Sequence, residues 1–156
     1  MCVIRPPQND DEFAAYYHFR WRMLRAPWGE PEGSEQDALE GDSFHLIAVN
    51  RQHRIIGCAR LQANSPEEAQ LRYMAVADDY QRRGIGRKLL AAMENRARQN
   101  GASRLVLDAR EGARGFYERL GYRCEGKSYL LFGEIQHYRM HKRLRQKNQP
   151  FCGDTH

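Results

Sequence analysis

The stretch Tyr73-Met74-Ala75-Val76-Ala77-Asp78-Asp79-Tyr80-Gln81-Arg82-Arg83-Gly84-Ile85-Gly86-Arg87-Lys88-Leu89-Leu90 passes from a short apolar run through a polar turn into a glycine-bearing helix start. This order predicts a phosphate cradle. The first N–H groups of a helix have no internal acceptor, and the helix dipole places partial positive charge at the same end. Gly84 and Gly86 remove side chains that would hold a pyrophosphate away from the backbone, while Arg82, Arg83, Arg87 and Lys88 add full charges around it. Ile85, Leu89, Leu90, Met93 and Ala97 share one face, and Asn100-Gly101 supplies a stop, so strand, turn and helix follow in sequence. Two better-known phosphate loops fail here. No Gly-x-x-x-x-Gly-Lys-Ser/Thr string occurs, and Leu89 stands where a dinucleotide fingerprint needs its third glycine.

Downstream, Leu105-Val106-Leu107-Asp108 reads as a buried strand, residues 109–112 as a turn, and Ala113-Arg114-Gly115-Phe116-Tyr117-Glu118-Arg119-Leu120-Gly121-Tyr122 as a helix leading into a strand. Phe116 and Leu120 lie one turn apart and are expected to pack inward, with Tyr117 on a different side and Gly121 as a left-handed cap. Upstream, residues 2–5 read as a strand, and Asn9 with Glu12 as a capping box for a helix that Pro27 ends. Residues 28–43, rich in glycine, proline and acids, form a long connection of the kind that serves as a substrate-facing lid. Residues 44–49, 54–61 and 70–76 suggest an antiparallel meander, and residues 124–132 and 134–143 a terminal strand pair broken near Gly133.

At 156 residues and 41% hydrophobic content the chain fits one domain over residues 1–145, followed by a polar, flexible tail at 146–156. No apolar run is long enough to span a bilayer and the N-terminus lacks a signal-peptide layout, so a cytoplasmic location with no membrane partner is expected. Cys2, Cys58, Cys124 and Cys152 are scattered without a Cys-x-x-Cys pair, which favours reduced thiols. His137 and His141 lie in a strand pattern with nothing to complete a ligand set, so no metal is expected. The net charge of +5 and the acid-free run Arg139, Lys142, Arg143, Arg145 and Lys147 raise a nucleic-acid-binding module as a rival reading. The absence of a stacking-aromatic motif, a helix-turn-helix signal or zinc-finger spacing weighs against nucleic acid as a partner.

Gln81-Arg82-Arg83-Gly84-Ile85-Gly86 is similar to the Gln/Arg-x-x-Gly-x-Gly/Ala motif with which the GNAT superfamily of N-acyltransferases binds the pyrophosphate of acetyl-CoA. The segment from Ala113 to Tyr122 resembles that superfamily's Ala-x-x-Phe-Tyr-x-x-x-Gly-Phe/Tyr signature, and the order of strands and helices over most of the chain is the superfamily's. The resemblance implies the GNAT fold, an α/β (α+β) arrangement with a mixed central sheet and an antiparallel N-terminal meander flanked by helices. It further implies an enzyme that moves an acetyl group from acetyl-CoA to a primary amine of a small molecule or peptide by direct attack. In that scheme the backbone of Met74, Ala75 and Val76, at a splay in the sheet, holds the pantetheine arm and polarises the thioester. Gln81, Arg82, Arg83, Gly84, Ile85, Gly86, Arg87 and Lys88 hold the pyrophosphate, and Tyr117 gives a proton to the leaving thiolate. Arg110 stands where asparagine is usual and can bond phosphate instead.

Candidate bases are Glu134 and His137, with Glu111, Asp78 and Asp79 also near motif edges. Gly133-Glu134-Ile135-Gln136-His137-Tyr138-Arg139-Met140 resembles the Gly-Ile-Pro-His-x-x-Met ending of ElaA-like acyltransferases, with Gln136 in place of proline, while the arginine-rich segment at residues 19–27 lacks the Val-Glu-Gln run of ElaA. Acids at Glu30, Glu32, Glu35 and Asp37 suit a polyamine or lysine acceptor. A protein that binds acyl-CoA without turnover is the remaining alternative, and a homodimer is compatible with the chain.

Overall fold

The computed structural model describes residues 2–145; the expected tail at 146–156, with Lys147 and Cys152, lies outside the described residues. Two compact units form, one from the chain up to Gln62 together with Leu71–Met93, the other from Ala63–Gln70 and the chain from Glu94 onward.

The first unit holds β1 (Val3–Arg5), α1 (Asp10–Leu24), β2 (Phe44–Val49), most of β3 (Ile55–Ala63), the later part of β4 (Glu68–Val76) and the first nine residues of α2 (Ile85–Gln99). Its strands run in the order β1-β2-β3-β4, with β1 and β3 both antiparallel to β2, Val3 opposite Val49 and Phe44 opposite Leu61. Residues 45–49 are all buried, which a strand achieves only when both sheet faces are covered. Tyr16 and Phe19 of α1 pack with Ile47, Val49 and Cys58. Toward α2 the contact is so close that a Cβ on Gly57 would lie 3.2 Å from Leu89 and 3.3 Å from Ile85. Asn9 caps α1 by accepting from the Glu12 N–H at 2.9 Å. The return bond of the expected capping box goes elsewhere, because Glu12 accepts from the Gln8 N–H and from Arg5, whose guanidinium holds its carboxyl down at about 2.

The second unit contains the start of β4, the end of α2, β5 (Arg104–Arg110), α3 (Arg114–Arg119), β6 (Arg123–Leu131) and β7 (Ile135–Arg143), with strand order β4-β5-β7-β6. The β4–β5 ladder is parallel and comprises Glu68 with Arg104, Ala69 with Leu105 and Gln70 with Val106. β5 continues past the expected turn at Ala109 because its antiparallel ladder with β7 extends to Arg110 opposite His137. A 3₁₀ turn, Glu111–Ala113, then precedes α3. The expected packing of α3 is corrected by the structure. Tyr117 is the enclosed residue at 7% exposure, its ring set edge-on to Phe116 and Tyr122, while Phe116 and Leu120 are half-buried. Gly121, at φ +97°, ends α3 and lets the Tyr122 N–H bond the Tyr117 carbonyl at 3.0 Å. Among the described residues no helix is long and apolar enough to cross a membrane.

Candidate active site

The turn between β4 and α2 lies in the first unit. Tyr73 breaks the extended backbone of β4 with φ +55°, leaving Met74, Ala75 and Val76 half-buried beyond it. The Ala77 N–H donates to the Ile56 carbonyl at 2.8 Å and fixes where the strand ends. After a 3₁₀ turn at Asp78–Tyr80, the Gln81 amide donates back to the Val76 carbonyl at 3.1 Å. Arg82 at φ +63° and Gly84 at φ +84° then reverse the backbone on either side of Arg83, the kind of left-handed turn that gathers N–H groups around an anion. The first α2 bond joins the Lys88 N–H to the Gly84 carbonyl, so the N–H groups of Ile85, Gly86 and Arg87 precede the helical ladder. A Cβ at Gly84 would meet nothing within 4 Å, and Arg82, Arg83, Arg87 and Lys88 are all exposed with no acidic partner among the described residues. Buried Ile85, Leu89 and Leu90 anchor the helix beneath. These groups fit a pyrophosphate.

Tyr117, Arg110, His137, Glu134 and Glu111 lie in the second unit. Burial pushes the Tyr117 hydroxyl above the ordinary phenol range, with the Arg110 charge opposing the shift. Arg110 is exposed and directly opposite His137 in the β5–β7 ladder. His137 is 6% exposed, its Nδ1–H donates to the Ile135 carbonyl at 3.0 Å, and its ring stacks on Tyr129 with centroids 4.4 Å apart. Tyr117, Arg110 and His137 are thus gathered within one unit. Glu134 instead occupies the exposed β6–β7 turn, Glu111 opens the turn before α3, and Asp78 and Asp79 are exposed in the turn after β4.

Residues 13–122 match the acetyltransferase (GNAT) family. The chain belongs to that family. A Bacillus subtilis (strain 168) protein named as an acetyltransferase is 32% identical over 132 residues, covering 80% of this chain and 88% of that one. Among solved structures, one described as an N-acetyltransferase from Lactobacillus plantarum superposes with a TM-score of 0.80 at 24% identity, covering 92% of this chain and 99% of that one. Escherichia coli ElaA gives 0.78 at 16% identity over 91% and 99% of the two chains. An aminoglycoside 6'-N-acetyltransferase complexed with coenzyme A gives 0.77 at 15% identity over 94% and 99%. The mixed seven-stranded sheet flanked by helices is the GNAT acyl-CoA N-acyltransferase fold, and the chain is an acyltransferase.

Sequence reasoning missed one feature of this GNAT chain, a buried charged cluster in the first unit. Arg20 on α1 and Arg60 on β3 are both 0% exposed, and both donate to Glu40 Oε2, at 2.8 and 2.6 Å. Arg60 also donates to Asp37 Oδ1 at 2.7 Å, and Arg72 to Asp37 Oδ2 at 3.2 Å. The Arg60 guanidinium holds the Asp37 carboxyl down at about 2. Tyr16 accepts from Arg20 and donates to His45 Nδ1 at 2.8 Å, while His45 Nε2–H donates to the Glu40 carbonyl, so one imidazole tautomer satisfies the chain of bonds. Arg20, Arg25, Arg60 and Arg72 all lie 4.3–5.6 Å from the centre of the Tyr73 ring, at the residue that breaks β4.

This cluster corrects the reading of residues 28–43. The segment is tied down rather than lid-like, since the Glu35 carbonyl accepts from buried Arg20 at 2.9 Å and Glu35 is itself 3% exposed. Glu35 and Asp37 are therefore not acids offered to a cationic acceptor. The visible mark was Arg20, four residues after Tyr16 on the inward face of a helix, but a solvated arginine and a buried one are the same letter.

Proposed function

We propose that this protein transfers the acetyl group of acetyl-CoA to a primary amine of a small molecule or peptide, by direct attack of the amine on the thioester. The observation that carries the reading is the turn in which left-handed Arg82 and Gly84 lead into α2 beside four cations that have no acidic partner among the described residues. Acetyl-CoA supplies an activated acyl group and a polyanionic handle. Gln81 through Lys88 grip the handle, and the backbone of Met74, Ala75 and Val76 orients the arm.

Tyr117 acts as general acid at its Oη. Its burial keeps the phenol protonated through neutral pH, and the positive charge of Arg110 eases release of the proton to a thiolate. His137 is the better supported of the two candidate bases. Its Nδ1–H is committed to the Ile135 carbonyl, which makes Nε2 the basic nitrogen, whereas Glu134 is a solvated turn residue.

The test is calorimetric titration of acetyl-CoA and of CoA into the wild type and Gly84→Glu, followed by an amine panel with thiol-release detection. Micromolar binding lost in the variant, with turnover of at least one amine, is expected. A folded wild type that binds neither compound overturns the reading, and tight binding without turnover of any amine makes the protein a sensor.

A further inference from the structure

The basic run at the chain's C-terminal end is not absorbed by acyl transfer, and the second unit shows where it goes. Arg104 opens β5 directly opposite Arg143 at the end of β7, and Arg123 opens β6 directly opposite His141. Like charges set across a ladder repel, so the Arg104–Arg143 pair costs stability unless something negative lies over it. The internal acids answer only part of this charge. Glu68 lies 3.1 Å from Arg104, Glu125 is divided between Arg104 at 3.7 Å and His141 at 2.8 Å, and Glu94 takes Lys142 at 3.2 Å. Arg123 and Arg143 are exposed and have no acidic partner among the described residues. Together with Arg104, His141 and Lys142 they surround a cavity of about 620 Å³.

The geometry points to a second anion site at this end of the sheet, taking a small oligophosphate. The cavity volume is that of a nucleotide-sized ligand pocket. Two unpaired guanidiniums offer planar forks suited to phosphate oxygens. Lys142 is steered along the end of α3 by Gly121, where an added Cβ would lie 3.3 Å from its Cε. Arg104, Arg123, Lys142 and Arg143 converge on one concavity from three strand ends, and among the described residues no Phe, Tyr or Trp lines it, which argues for a compact polyanion over a nucleic-acid strand. Arg104 also sits at the opposite end of β5 from Arg110, roughly 20 Å away at about 3.3 Å per residue.

Inorganic tripolyphosphate is the probe, titrated into Gly84→Glu, whose cradle is blocked, and into Gly84→Glu carrying Arg123→Ala and Arg143→Ala, with ¹⁵N amide shifts recorded on both. One equivalent is expected to bind the parent, shift the amides of Arg104, Arg123 and Arg143, and weaken at least about tenfold in the triple variant, the worth of a charge-assisted hydrogen bond. Equal affinity in the two proteins, or shifts confined to residues 81–88, overturns the proposal. So does binding of a single-stranded oligonucleotide with no response to tripolyphosphate, which would make the face a nucleic-acid surface. Because the cradle is disabled throughout, the outcome does not depend on the acetyl-CoA reading.

Discussion

Two sets of arginines in the first unit use the same side chain for opposite purposes. Arg82, Arg83 and Arg87 stand in solvent with no acidic partner among the described residues, while Arg20 and Arg60 are 0% exposed and share Glu40, with Asp37 added on Arg60. The first set stays hydrated in the folded state and is available to a ligand. The second set is already spoken for, and its charge serves to hold residues 35–40 and Tyr73 in place. Charge count therefore says little about function here; burial and partners separate a binding arginine from a structural one.

The contrast is broken most sharply by Arg60→Met. Removing one member of a buried ion cluster leaves Asp37 and Glu40 short of a partner, and about 3–5 kcal/mol of stability should go, read by urea denaturation. Arg83→Ala and Arg87→Ala should change stability by no more than about 0.5 kcal/mol. Equal effects from the two substitutions would erase the distinction. A double variant, Arg60→Met with Asp37→Asn, should recover part of the loss, because one stranded carboxylate is neutralised.

Activity sharpens the comparison from the other side. Tyr117→Phe removes only a hydroxyl, and turnover should fall about 100-fold with CoA affinity unchanged, as expected for a general acid. A smaller effect appears at the cradle, where Arg83→Ala should weaken CoA about tenfold without moving the denaturation midpoint. A fall in both affinity and stability would mean that Arg83, whose guanidinium lies 5.1 Å from the Tyr80 ring, is structural after all.

Legibility in the sequence follows the same divide. The strand, turn and helix of residues 73–99 were readable because glycine spacing and helix periodicity are local, and Gly121 adopts the left-handed cap expected of it. The existence of β5 was legible, but its length was not, because the β7 ladder that carries it through Arg110 is a long-range pairing. Tyr117 and Phe116 were exchanged in burial because α3 is a six-residue helix whose packing depends on Tyr122 in the following strand. The cluster at Tyr73 was invisible since it joins α1, the 35–40 segment, β3 and β4, and no spacing rule links them.

The finest test of the buried set is pH. Asp37 has a carboxyl held at about 2 by Arg60, below the ordinary 3.8, so it binds fewer protons folded than unfolded through that window. Its contribution to stability is fully present above the unfolded value and is lost as pH falls from about 4 toward 2. His45 adds a second slope of the same sign at higher pH. Burial lowers its folded pKa below the ordinary 6.5, so stability is complete above that value and declines as the unfolded state takes up the proton first. Asp37→Asn should make the acid limb shallower, the part that remains belonging to Glu12, whose carboxyl Arg5 also holds at about 2, and should leave the histidine limb in place, whereas His45→Gln should remove the histidine limb alone. If the Asp37→Asn midpoint still falls between pH 4 and 2 as steeply as the wild type's, the carboxylate is not held by Arg60 in solution, and the buried arginines lose their assigned role in fixing residues 35–40.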